Sequence, residues 1–207
     1  MRFPGPIVRI LLWGVLSGSS LLVGQIRADI SCTDLTSFTP KDTLITTTEN
    51  VDTGTPHCKV AGVIEKEIKF ELLLPKEWNG LFMMGGGGAY VGSIQNQDLA
   101  YGSGPGALVR GYATVGTDTG HVSSYVDGSW ALNNIERQEN FGHRAVHLTA
   151  VTAKSIIERY YSRAPEYSYF VGCSRGGGQA MMETQRYPED FDGLVAGAPA
   201  YDWPGFR

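Results

Sequence analysis

The run Tyr167-Ser168-Tyr169-Phe170-Val171-Gly172-Cys173-Ser174-Arg175-Gly176-Gly177 decides the fold of this 207-residue chain. Tyr167 to Val171 is rich in aromatic and β-branched residues and reads as a strand. Gly178 to Arg186 reads as helical and stops short of Pro188. Between them stands Gly172-x-Ser174-x-Gly176. A strand that turns sharply into a helix at such a motif lifts a serine hydroxyl clear of the end of the sheet. The two glycines leave room for the strained turn. The N–H of Arg175 points into the same space from the helix N-terminus, where it can donate to an oxyanion. Ser174 is therefore the candidate nucleophile. The bare five-residue pattern is common; the strand before it and the helix after it make it specific.

Outward from this turn, Val146, Ala150, Ala153, Ile157 and Tyr160 are spaced 4, 3, 4 and 3 apart, one face of an amphipathic helix. Ile68, Phe70, Leu72 and Leu74 alternate as a half-buried strand that ends at Pro75. Leu81 to Met84 is a short buried strand, Tyr112 to Thr117 another, and Leu194 to Ala196 a last one before Gly197-Ala198-Pro199. From residue 81 the order is strand, strand, helix, strand, helix, strand. That alternation predicts an α/β fold, a mostly parallel sheet flanked by helices. Ligands in such sheets bind beyond the carboxyl ends of the strands. Gly85-Gly86-Gly87-Gly88 falls at such an end, and its bare backbone makes Gly87 and Gly88 candidates for the second oxyanion donor. It is not a phosphate-binding P-loop, because no Lys-Ser or Lys-Thr pair follows.

A serine nucleophile needs a base. In hydrolases built on this elbow the chain order is serine, acid, histidine. His57, His121, His143 and His147 all precede Ser174. Asp118 and His121 are read as residues that fix the loop after Thr117. His143 and His147 are one helical turn apart but lack a third zinc ligand. Asp190 and Asp192 are read as turn and capping residues. No metal site is expected within the chain.

The first 28 residues stand apart. Arg2 and Arg9 precede an apolar run from Ile10 to Val23, and Ala28 closes it, the layout of a secretory signal peptide. The run is shorter than the ~20 residues of a membrane span. Two regions are thus expected: a signal peptide over residues 1–28, and residues 29–207 as the N-terminal part of a catalytic domain, exported and with no stable membrane insertion after cleavage. Loss of Arg2, Arg9 and Arg27 leaves 14 basic against 21 acidic side chains, a net charge of −7. No basic stripe remains, so nucleic acid is not an expected partner. Export permits disulfides. A Cys32–Cys58 bridge closes a loop of 27 residues, for which the chain-entropy model gives roughly 3.5 kcal/mol. Cys173 is then left over.

Several longer stretches resemble the tannase and feruloyl esterase family, which also holds mono(2-hydroxyethyl) terephthalate hydrolases. They are Cys58-Lys59-Val60, Trp78-Asn79-Gly80, Gly85 to Gly88, Gly111-Tyr112-Ala113-Thr114, Thr117-Asp118-Thr119-Gly120-His121 and Phe141-Gly142-His143-Arg144-Ala145-Val146-His147. The strongest run from Tyr169 to Gly177 and from Tyr187 through Gly193 to Pro199. The resemblance implies an α/β-hydrolase fold and a serine esterase acting on small esters of galloyl, feruloyl or terephthaloyl-like acids. It also implies that Cys173 pairs with a cysteine beside the catalytic histidine. That histidine, the catalytic acid and a calcium-binding lid domain are implied far downstream, so the chain is expected to be truncated before them and inert alone. An inactive remnant and an acyltransferase using the same elbow are the alternatives. Arg175 departs from the small or neutral residue common in the family, and its side chain is expected to tune acidic or phenolic ester partners.

Overall fold

The computed structural model describes residues 30–96, 105–124 and 126–202. The expected signal peptide lies outside them. Seven strands form one sheet: β1 (Thr43–Val51), β2 (His57–Ile64), β3 (Ile68–Pro75), β4 (Leu81–Gly85), β5 (Ala113–Thr117), β6 (Tyr167–Cys173) and β7 (Gly193–Gly197). Their order in space is β1-β2-β3-β5-β4-β6-β7. The pairings β1–β2, β2–β3 and β3–β5 are antiparallel, while β5–β4, β4–β6 and β6–β7 are parallel. The sheet is thus mixed, and its parallel half carries the elbow.

The parallel half follows from its sequence. The β5 strand is buried at all five positions, as a strand covered on both faces must be. Phe82, Met84, Val115 and Phe170 fill the space beneath the helices. Helix α1 (Ile135–Glu139) runs through a π turn (Asn140–Arg144) into α2 (Ala145–Tyr161). Val146, Ala150, Ala153 and Ile157 are buried, as their spacing requires, and Ile156 joins them. The helix after the elbow, α3 (Arg175–Arg186), begins three residues earlier than its propensity suggests. Gly176, Gly177 and Gly178 are poor helix formers, but Gly177 and Gly178 sit where backbone leaves no room for a side chain, and Gly176 packs tightly on the Gly86 and Gly87 backbone.

The antiparallel half includes two strands that the sequence reading passes over. In β1 most side chains are exposed and only Ile45 is buried, so the strand carries no clean alternation. The β2 strand does alternate, but it directly follows Asp52-Thr53-Gly54-Thr55-Pro56, which reads as loop. Cys32 and Cys58 are joined, with Cα atoms 5.6 Å apart. The bridge pins the short 3-10 helix Cys32–Ser37 to β2. Cys173 is a free thiol and exposed.

Candidate active site

Ser174 sits between the end of β6 and the first residue of α3 with φ 57° and ψ −119°. A positive φ at a residue with a Cβ is uncommon and marks stored backbone strain. The neighbours hold it there. Ser174 N–H donates to Gly197 O at 3.0 Å, and its own carbonyl accepts from Gly178 at 3.1 Å and Ala200 at 2.8 Å. The side chain is exposed and caps nothing. Its hydroxyl is thus presented at the carboxyl end of β6, free of its own helix.

The glycine loop lies against the start of α3. A methyl at Gly86 would stand 2.6 Å from the Cα of Gly176, so only two glycines allow the chains to come this close. Gly86 N–H donates to Val171 O at 2.9 Å. Gly87 N–H donates to Oε1 of Gln179 at 3.0 Å. That corrects one expectation: the Gly87 donor is committed to a side chain of α3 and is not open to an oxyanion. Gly88 N–H has no partner among the described residues, which leaves it as the candidate donor of the loop. The N–H of Arg175 is among the first in α3, where helices leave donors unpaired. Gln179 is 2% exposed and ties the loop to the helix that carries the serine. A buried polar residue in a helix is the signal that sequence reading could have used.

The far end of the loop is pinned by an aromatic cluster. His121 Nε2–H donates to Tyr90 O at 2.8 Å, and its ring stacks on Trp130 with centroids 3.7 Å apart. Burial pushes the His121 pKa down, so the ring stays neutral. Asp118 Oδ1 accepts from Lys69 N and Gly120 N, both at 2.9 Å. Burial lifts its carboxyl to about 6. Both residues fix the loop after β5, as read from the sequence.

None of the four histidines bonds to Ser174 among the described residues. His57 Nδ1–H donates to Thr55 O at 2.7 Å, and His143 Nδ1 meets Tyr187 Oη at 2.7 Å. His147 Nδ1–H donates to Asp190 Oδ2 at 2.6 Å and its ring stacks on Tyr187. Asp190 is therefore more than a turn residue: it is buried and also receives Lys154 through its carbonyl. Asp192 caps no helix; its Oδ2 accepts from Ser168 N at 2.7 Å and stitches the start of β6.

Glu183, on the buried face of α3, points into this cluster and is 1% exposed. Burial first, and then the Asp190 charge, raise its pKa far above the ordinary value, so it is neutral at pH 7. In the unfolded chain a glutamate ionises near about pH 4.3. The fold opposes ionisation, so stability is lost as pH rises from about 4.3 toward the folded pKa. Glu183→Gln keeps the neutral form at every pH. Its Tm advantage over wild type is expected to be larger at pH 8 than at pH 5, by about 3 °C or more. Asp118 titrates alike in both proteins and cancels. Thermal unfolding at the two pH values measures this, and an equal difference at both rejects it.

The Arg175 side chain folds back against the π turn. The guanidinium is buried, with 4% of the residue exposed. It stacks over Phe141 at 4.2 Å and donates to the carbonyl oxygens of Phe141 and Gly142. It does not stand open beside the Ser174 hydroxyl, because the π turn offers it two carbonyls and an aromatic face nearby.

A strained serine between a parallel strand and a helix, with a glycine loop closing on the helix start, defines an α/β-hydrolase elbow. Residues 52–207 match the family model described as tannase and feruloyl esterase. The chain belongs to that family. It is 46% identical over 141 residues to a probable feruloyl esterase of Arthroderma benhamiae, covering 65% of this chain and 25% of that protein. It is 39% identical over 165 residues to the mono(2-hydroxyethyl) terephthalate hydrolase of Piscinibacter sakaiensis, covering 72% and 27%. Among solved structures, feruloyl esterase B from Aspergillus oryzae superposes with a TM-score of 0.71 at 30% identity, covering 82% of this chain and 36% of that one. An esterase from the same organism gives 0.74 at 32%, covering 82% and 37%. The chain therefore spans about a quarter of the length of these two curated relatives.

Proposed function

We propose that the protein to which this chain belongs is a carboxylic ester hydrolase working through a serine acyl-enzyme. The observation that carries the reading is the exposed Ser174 hydroxyl, held at φ 57° at the head of α3. The hydroxyl attacks the ester carbonyl. The N–H groups of Arg175 and Gly88 receive the charge that develops on the carbonyl oxygen, from a preorganised backbone. Gln179 is a positioning residue, since its bond to Gly87 sets the distance between the two donors. The alcohol leaves, and water then releases the acid. The base and its acid come from residues beyond those described, because each histidine here is engaged elsewhere. The exported location rests on the leader-like first 28 residues. Among the described residues no helix is long and apolar enough to cross a membrane.

The substrates are small esters of aromatic acids. The names of the relatives, feruloyl esterases and a terephthalate monoester hydrolase, support that class. The test is a panel of methyl gallate, methyl ferulate, a terephthalate monoester and short aliphatic esters, assayed with the full-length protein. At least one aromatic ester is expected to exceed every aliphatic one in kcat/KM. A clear preference for the aliphatic esters would overturn the reading.

A further inference from the structure

We propose that a cavity on the flank of α3, lined in part by Arg175, binds a small organic carboxylate. The proposal requires no step of the ester chemistry.

The first observation is an uncompensated charge. Arg175 is 4% exposed. Among the described residues no carboxylate pairs with it, and its Nε is buried without a hydrogen-bond partner. Burial lowers its pKa to about 10, which leaves it cationic at neutral pH. Two carbonyls and the Phe141 face hold it but supply no negative charge. A buried charge without a counterion is costly, so the site has an intrinsic demand for an anion.

The second observation is space. A cavity of about 340 Å³ opens beside the guanidinium, lined among others by Phe141, Arg175, Met181, Met182, Gln185 and Tyr201. That is within the range of small-molecule sites, ~300–1,000 Å³. Gly178 lets the Ala200 backbone close on α3 beside this cavity: a methyl there would stand 2.1 Å from Ala200 O. Phe141 and Gly142 belong to the π turn, a distortion that recurs at functional sites.

The third is the chemistry of the walls. Methionine side chains adapt to irregular apolar shapes and favour aromatic edges. Phe141 and Tyr201 add aromatic surface. A guanidinium in the wall of a largely apolar cavity suits a carboxylate on an apolar body. It suits inorganic phosphate poorly, because the walls offer phosphate few donors.

Benzoate is the probe, benzamide its neutral counterpart and inorganic phosphate the bare anion, each titrated calorimetrically into the full chain at pH 7. Benzoate is expected to bind at one saturable site, at least tenfold tighter than benzamide or phosphate. Arg175→Gln is expected to weaken benzoate at least tenfold. Met182→Trp, which keeps the guanidinium and fills the cavity, is expected to do the same, so a misfolded Arg175 variant does not decide the matter. Ser174→Ala is expected to leave binding unchanged, which separates this site from the elbow. Benzoate failing to bind, binding Arg175→Gln or Met182→Trp as tightly as wild type, matched by benzamide or phosphate, or weakened by Ser174→Ala, would overturn the proposal. Failure of the esterase reading would leave the titration unaffected.

Discussion

Ser174→Ala is expected to lower kcat of the full-length protein by several orders of magnitude while leaving the fold intact. Removal of a triad nucleophile in a serine protease costs about 10⁶ in kcat. What remains is rate enhancement from the oxyanion donors and substrate binding. The structure explains why the loss is confined to chemistry. The hydroxyl is exposed and caps nothing, and the residue is held by its backbone N–H and C=O, which alanine retains. Alanine and serine meet the same steric cost at φ 57°, so the strain is unchanged. Steady-state rates with an aromatic ester, together with the thermal midpoint of both proteins, are the measurement. A variant that keeps a tenth of wild-type turnover would exclude Ser174 as the nucleophile.

Gly172→Ala is expected to give the largest loss of stability of any single methyl added to the site. The new carbon would stand 2.2 Å from Gly176 O, 2.3 Å from its carbonyl carbon and 2.7 Å from its Cα. All three obstacles are backbone in the first turn of α3, so no rotamer change relieves them. Relief requires α3 to move away from β6. That movement would pull Gly176 from Gly86 and break the Gln179 bond to Gly87. Overpacking in well-packed interiors typically costs about 1–3 kcal/mol; here the cost is expected at or above the top of that range. Against a total stability of about 5–15 kcal/mol this is a large fraction. Gly142→Ala serves as the contrast, because a methyl there meets nothing within 4 Å and alanine is the better helix former. Denaturant midpoints are expected to fall sharply for the first variant and to hold or rise for the second. A wild-type midpoint for Gly172→Ala would show that the turn is not as tight as described.

Local rules were enough to read the elbow. Aromatic and β-branched residues mark Tyr167 to Val171 as a strand, and Pro188 stops the following helix. Glycines at 172 and 176 announce a turn that no side chain can enter. Each of these signals lies within a few residues of its effect. The same holds for the face of α2 and for the two cysteines near the start. The β1 strand failed this test, because an edge strand that buries only Ile45 leaves no period in its sequence.

The use of each polar group was decided only by tertiary structure. Gly87 and Gly88 are indistinguishable in sequence, yet one donates to Gln179, 92 residues away, and the other does not. Arg175 could extend over the nucleophile or fold back, and the π turn, with two carbonyls and an aromatic ring, draws it back. Asp190 looks like a turn residue until α2 brings His147 to it. In each case the partner comes from a distant element, and a hydrogen bond depends on a few tenths of an ångström and on angle. The pattern of apolar residues can specify which elements form and which faces they bury. It carries no information at that resolution about which donor meets which acceptor.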